Sequence, residues 1–512
     1  GEVTAVGTWV EAVEMAVGID EHRGSSSSFN IEPGRVPRKR RGDGQKGRRA
    51  ARHRGRPGFS SPGPSSILLA HFMDRTDDMR VPPRIMRRLD TLGKRPPSGL
   101  LRLTWRVDID SPLDWLRAQP LLPRLYWRSR GPDAVEHAAV GAADERPAED
   151  GLPPALPACL EDAEARYFGG LAFDPRDAGW QGFGAGRFVL PRLELVRRKH
   201  AAELCLNLLF DGRDPDAELE AARAALLALR DARPAEPLSP VVTGRHDTPC
   251  RDDWAGWVDR ATSSEEQARA AKVVLSRQSR LLTRVPVDPW VLLDAWRRRA
   301  RHCFHFGFQF SPEATFIGCS PERLYRRDGA RLLSEALAGT CRRDGDAARD
   351  ATLAAALLAD PKNRRENQLV HADILARLAP LVRHASLAEP GVVRLRALQH
   401  IRRDIEAELH PWVSDRHLLA ALHPTPAVGG TPRDAALAFI RRHERHRRGW
   451  YAGACGMLSR EAAELTVAIR CALVTAEAVS LYAGAGIVDG SVPDDEWDEL
   501  EAKIADVMSL LV

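Results

Sequence analysis

The chain has 512 residues, 44% of them apolar, which is ample for a sizeable core, and its eight cysteines include no CxxC pair, so neither a disulfide framework nor a structural zinc site is expected. No apolar run approaches the roughly 20 residues that a membrane-spanning helix needs, and residues 1–20 lack a basic start followed by an apolar block, which argues against a spanning helix or a standard secretion signal and points to the cytoplasm. The net charge of +5 comes from one segment: residues 35–56 hold eleven Lys or Arg against one Asp, a local +10, and the rest of the chain sums to −5.

Residues 24–66 combine SSSS, that basic run and SSPGPSS. They are too polar and too rich in Gly and Pro to bury a core, so residues 1–79 are read as a disordered basic leader. A nucleic-acid arm, an organelle transit segment and upstream sequence foreign to the folded protein are the other readings. The run has no aromatic residue for base stacking, and nucleic acid is not expected as a partner. Folding is expected to start between 80 and 100. RLYWRSR (124–130), GRFVLPRLELVRR (186–198) and AELCLNLLF (202–210) are short apolar segments, the last alternating as a strand does. Residues 133–160, rich in Ala, Pro and acids, read as a loop region. A helix is predicted at about 215–231, where Leu219, Ala222, Leu226 and Leu229 keep a helical stripe.

From 263 the pattern sharpens. SSEEQARAA offers a serine cap and reads as a helix, while KVVLSR has the β-branched run of a strand. HCFHFGFQF (302–310) places Phe304, Phe306, Phe308 and Phe310 on one strand face. TFIGCS, ERLYRR and ARLLSEAL follow at short intervals, with a hairpin signal at Asp328-Gly329, so an antiparallel meander is predicted. Helices are expected over 363–382 and 433–445. ELTVAIRCALV and AVSLYAGAGI read as a final strand pair; in the first, alternation puts Arg470 opposite Leu465, Val467, Ile469, Cys471 and Leu473. That arginine is either solvated or beside a small carboxylate, because the neighbouring strand ends in glycines. The last strand runs into an acidic helix opened by Pro493, in which Glu496, Glu499 and Lys503 share one face. The plain reading of that helix is a solvated surface with one intrahelical ion pair.

KVVLSR, FIGCSPERL, ALAGT, KNRRENQLV, LQHIRRDI, LHPTPAVGG, YAGACGML, VAIRCA and LYAGAGIVDGSVPDDEWDELEAK come in the order and spacing of the chorismate-utilising enzymes, and the chain resembles the isochorismate synthases among them. The resemblance spans 260–512 and extends more weakly back to about 100. It implies an α+β fold with a large antiparallel β-sheet core flanked by helices, residues 80–260 forming the N-terminal part of the fold and 261–512 its chorismate-binding catalytic region. Lys272 matches the family lysine that activates water, and Glu322 the general acid that protonates the departing ring hydroxyl. Glu366 and Glu499 match the glutamates that bind one Mg²⁺, with Glu496 ordering its water shell. Arg470, Lys503 and Tyr451 fall where side chains hold the substrate carboxylates, and Gly484 where backbone approaches the ligand. His400 matches the histidine of its block, and Ala427 and Val428 line the site.

Elementary chemistry agrees with that set. Chorismate is a dianion and needs a cation at each carboxylate; an oxygen-liganded Mg²⁺ held by one or two carboxylates is a usual solution. The base and the acid require ionisation tendencies pushed in opposite directions. Ammonia-adding relatives work with a glutaminase subunit, and the anthranilate branch lacks a lysine at the position of Lys272. Its presence here favours water, with no glutaminase partner and a monomer or homodimer expected. LHPTPAVGG is similar to the isochorismate-releasing form of that block, and the long region before 260 to the menaquinone type. A siderophore or salicylate enzyme, or a silent homologue tethered by its basic leader, are the alternatives. Cys319, Asn363 and Asn367 depart from the family pattern; Asn363, one helical turn before Glu366 and in place of an acid, makes the metal's surroundings less acidic.

Overall fold

The strand Gly186–Arg198, thirteen residues long and buried over most of its length, organises the sheet. In this computed structural model, which describes residues 81–511 apart from 94–96, 158–164, 177–178, 200 and 213, one edge of that strand pairs with Glu136–Pro147 along its whole length. The opposite edge is shared by two strands. Tyr167–Leu171 takes its first part (Phe168 opposite Val189) and Ala201–Phe210 its last (Leu193 opposite Leu206). The expected leader over 1–79 lies outside the described residues.

Two leaves therefore grow from one strand. The first runs from Glu136–Pro147 through Arg124–Arg128, Phe304–Ser311, Ala314–Ser320, Cys471–Thr475 and Ala478–Ile487 to Lys272–Thr283. The second runs from Tyr167–Leu171 through Ala454–Leu458, Ala462–Val467, Arg323–Asp328 and Arg331–Arg342 to Leu398–Leu409. Every pairing is antiparallel, and strands from before and after residue 260 share one sheet. Twenty strands and eleven α-helices occur among the described residues, and the sheet is not closed into a barrel. An aromatic cluster packs around Trp450, whose ring centroid lies 5.3 Å from Phe183, 5.7 Å from Phe308 and 6.3 Å from Phe316. Phe306 and Phe310 join it from the same strand face as Phe308, as the alternation in HCFHFGFQF predicts.

Two sequence expectations fail here for physical reasons. Residues 133–160 are not simply a loop: Glu136–Pro147 is a twelve-residue strand at the root of the first leaf. Its alanines are poor strand formers alone, but pairing on both edges buries them, and tertiary context overrides propensity. ELTVAIRCALV is not one strand either. It is Ala462–Val467 in the second leaf and Cys471–Thr475 in the first, with Arg470 between them at φ +50°. The chain changes leaf there, so simple alternation does not fix where Arg470 points. Smaller shifts occur at helix ends: Pro215–Leu227 stops before Leu229, and the predicted 363–382 helix is Pro361–Leu378.

The segment Ser320–Arg323 also changes leaf, and it crosses beside the other one. Cys319 N–H donates to Arg470 O (2.9 Å), Val467 N–H to Glu322 O (3.1 Å), and Ser320 Oγ to Val467 O (2.6 Å). Helices then close the ends of the leaves. Pro493–Met508 sits against the glycine-rich strand and is held by the buried Arg277, whose guanidinium lies 4.3 Å from the Trp497 ring and 2.9 Å from Glu501. Pro361–Leu378 is fastened to Arg331–Arg342: Asn367 Nδ2 donates to Ala338 O and Ile401 O, both at 3.2 Å, and Thr340 N–H donates to Asn363 Oδ1 at 3.0 Å.

Asn367→Ala leaves those buried carbonyls short of a donor. It is expected to lower unfolding stability by about 1–3 kcal/mol; an unchanged urea midpoint would contradict the clamp.

Candidate active site

Glu322 and Arg470, one at each crossing, face one cavity, which encloses about 670 Å³ when its open mouth is included. Its wall also includes Gly339, Thr340, Glu366, His400, Ala427, Val428, Tyr451, Gly484, Glu499 and Lys503. Nine of the eleven expected site residues are thus wall residues, Glu366, Glu499 and Lys503 among them. Lys272 and Glu496 stand one layer behind.

Lys272, at the start of its strand, is fully buried rather than a surface lysine, and its Nζ lies 2.9 Å from Glu366 Oε1. Glu366 also accepts from Gly339 N–H (3.1 Å). Burial alone would push the Glu366 carboxyl up, but Lys272, Lys503 and Lys362 outweigh it and hold the group below the usual carboxylate range. A Cβ on Gly486 would stand 2.7 Å from Glu366 Oε1 and 2.8 Å from Lys272 Cε, so only glycine leaves room for this pair. At Gly484 the same atom would stand 2.7 Å from the Tyr451 hydroxyl.

Glu322 has the opposite environment. Burial first, and then the charge of Glu335, push its carboxyl up to about 8 against the pull of Lys272, Lys503 and Arg130. One glutamate is held ionised and another protonated in a single cavity, which is the signature of divided acid–base roles.

The cations are placed by the final helix. Lys503 Nζ lies 2.5 Å from Glu499 Oε1, the predicted intrahelical pair, and donates to Gly484 O at 2.7 Å. Arg470 Nη1 donates to Lys503 O (3.1 Å), and its Nη2 lies 3.4 Å from His400 Nε2. Guanidinium only donates, so Nε2 accepts and the other ring nitrogen, 3.1 Å from Thr340 Oγ1, carries the proton. Burial, with Arg470 and Lys503 nearby, pushes His400 well down, which keeps it neutral. Tyr451 stacks on Tyr482 at 5.2 Å. Glu496 pairs with Lys362 at 2.8 Å; burial and then the Glu499 charge push its carboxyl up.

Sequence reading missed Arg130, Glu335, Thr340, Lys362 and Tyr482. Glu335 and Thr340 lie in or beside the quoted ALAGT block and Lys362 opens KNRREN, so the signal was proximity to a recognised block. Asn363 and Asn367 clamp a strand and are not at the cavity.

Residues 156–512 match the family model described as chorismate binding enzyme. The chain belongs to that family. Isochorismate synthase MenF of Escherichia coli K12 is 37% identical over 399 residues, covering 78% of this chain and 90% of that protein. The salicylate biosynthesis isochorismate synthase of Pseudomonas aeruginosa is 38% identical over 349 residues, covering 66% and 73% respectively. The solved structure of the menaquinone-specific isochorismate synthase MenF of Escherichia coli superposes with a TM-score of 0.75 at 35% identity, covering 84% of this chain and all of that one. Anthranilate synthase component I of Streptococcus pneumoniae, at 19% identity and a TM-score of 0.59, shares the fold. In this chorismate-binding enzyme the cavity between the leaves has the cations that a dicarboxylate substrate requires.

Glu322 also sets a pH dependence. The unfolded chain releases that proton near the ordinary glutamate value of about 4.3, the folded chain only near 8. Between those values the folded state holds one more proton, so its contribution to stability falls as pH rises. Melting temperature measured from pH 5 to 8 is expected to fall less steeply in Glu322→Gln than in the unsubstituted chain; parallel curves would contradict the assignment.

Proposed function

We propose that the protein is an isochorismate synthase, converting chorismate to isochorismate, and that the residues above divide the work. The observation that carries this reading is the protonated Glu322 in a cavity that also presents Arg470, Lys503 and the ionised Glu366. A bond forms between a water oxygen and one ring carbon, the double bonds shift, and the bond to the original ring hydroxyl breaks. Lys272, once its ammonium has released a proton to solvent and its Nζ has left Glu366, takes as a neutral amine the proton that the attacking water loses. Glu322 gives its proton to the departing hydroxyl, so that water rather than hydroxide leaves. Arg470 and Tyr451 hold one substrate carboxylate, Lys503 the ring end, and His400, being neutral, leaves the Arg470 charge available to the substrate. Ala427 and the glycine at 484 leave space for the ring.

Among the described residues no group of three or more His, Cys, Asp or Glu side chains is arranged to hold a metal unaided. The acids do fit a Mg²⁺ that keeps water and substrate oxygens: the set is oxygen only, and Glu499 on the wall and Glu496 behind it are close enough for their charges to repel. Glu366 and Glu499 would hold the ion and Glu496 would order its water. When bound, Mg²⁺ withdraws electron density from the diene conjugated to the ring carboxylate.

The menaquinone pathway is favoured because the menaquinone-specific relative aligns over more of this chain than the salicylate one. Chorismate is the partner in this reading, without a glutaminase subunit, in a monomer or homodimer. Seven cysteines are free among the described residues, which suits a cytoplasmic location.

Chromatography and mass spectrometry of products from chorismate, with and without ammonium, test the reading. Isochorismate alone is expected, and Lys272→Ala is expected to abolish it. An aminated product, or salicylate with pyruvate in enzymatic yield, would move the protein to a sister activity. In a Mg²⁺ titration, Glu499→Gln is expected to raise the half-saturating concentration about tenfold or more; an unchanged curve would remove Glu499 from the metal site.

A further inference from the structure

Glu335 takes no part in the chemistry above, yet it is 2% exposed and carries a charge inside the protein. Its partner is Arg130, which follows the strand Arg124–Arg128 and so comes from the N-terminal half of the chain. The two form a fork: Arg130 Nη1 lies 2.9 Å from Glu335 Oε1 and Nη2 2.6 Å from Oε2. Both members also grip backbone. Arg130 Nη1 donates to Pro321 O, and Arg323 N–H donates to Glu335 Oε1 at 2.6 Å. These are the peptide groups immediately before and after Glu322. The Phe304 ring lies under Arg130 at 5.2 Å and under Arg323 at 5.5 Å, so the clamp is backed by packing.

A buried ion pair is weak evidence for stability, since desolvating two charges offsets much of their attraction. This one is spent on a single peptide segment. Resting on the functional reading above, we propose that the Arg130–Glu335 pair positions the general acid, fixing the backbone on both sides of Glu322 and keeping a negative charge behind its carboxyl. The charges that act most strongly on Glu322 are Glu335 from its neighbouring strand, Lys272 from the first leaf, Lys503 from the final helix and Arg130 itself. Glu366, Glu499, Arg470 and the neutral His400 share the cavity as well; among the four groups named, three are cations that favour ionisation and Glu335 opposes it. Removing its charge also leaves Arg130 uncompensated, and both effects act in the same direction. Arg130 thereby gives residues before 260 a part in the acid's behaviour.

The test is a ¹³C NMR titration of glutamate carboxyls, the Glu322 signal being the one lost in Glu322→Gln. In Glu335→Gln, which keeps an acceptor for Arg323 N–H, the Glu322 midpoint is expected to fall by about one pH unit or more. The alkaline limb of kcat/KM for chorismate is expected to move with it. Glu335→Asp keeps the charge and is expected to restore the midpoint. A pair with only a structural role would lower the melting temperature and leave the midpoint in place, and that result overturns the proposal. Should Glu335→Gln fail to fold, combining it with Arg130→Met leaves no unpaired charge buried, and the same downward direction is expected. The midpoint needs no turnover, so a chain that titrates as expected without making isochorismate fails the functional reading alone.

Discussion

Two chain segments pass together from one leaf of the sheet to the other, and the active site depends on that shared crossing. A buried change of direction normally leaves peptide groups unpaired. Here residues 319–322 and 467–470 supply partners to each other, Cys319 N–H to Arg470 O and Val467 N–H to Glu322 O, while Ser320 Oγ donates to Val467 O and Thr466 Oγ1 adds a second donor to Glu322 O. Much of the backbone is satisfied between the two segments, and Arg130, Glu335 and Gly453 complete it, which leaves the side chains of Glu322 and Arg470 free to face the cavity. Acid and cation are held in fixed relation because each backbone is the other's support.

Electrostatics then follows from what surrounds that crossing. The cavity collects Lys503 and Arg470, with Lys272 behind its wall, and such a crowd would ionise any carboxyl placed within it. Glu366 obeys and is held low. Glu322 does not, because burial and Glu335 outweigh the cations. Burial and the same cations drive His400 neutral, so in the proposed reading the cations remain for the substrate carboxylates.

Much of this was legible in the sequence because strands declare themselves by local pattern. HCFHFGFQF reads as one face, and Asp328-Gly329 is followed by a two-residue hairpin pairing Asp328 with Arg331. The site residues came from ordered blocks, and the structure brings most of them to one cavity. What could not be read is what long-range pairing decides. The alanines of Glu136–Pro147 become a strand only when two partners flank them. The break at Arg470 exists because its two flanking strands belong to different leaves, and alternation within ELTVAIRCALV carries no trace of that. The Arg130–Glu335 pair joins residues 205 positions apart, beyond the reach of any local signal.

The central claim is that water from outside replaces a ring hydroxyl, drawn in by one side chain while another protonates the leaving group. Turnover of chorismate in H₂¹⁸O, with the isochorismate analysed by mass spectrometry at low conversion, tests it most directly. The account predicts one ¹⁸O atom in each molecule of product, located at the new hydroxyl. Product without the label would mean that the original hydroxyl migrates within the ring, and would contradict the roles given to Lys272 and Glu322.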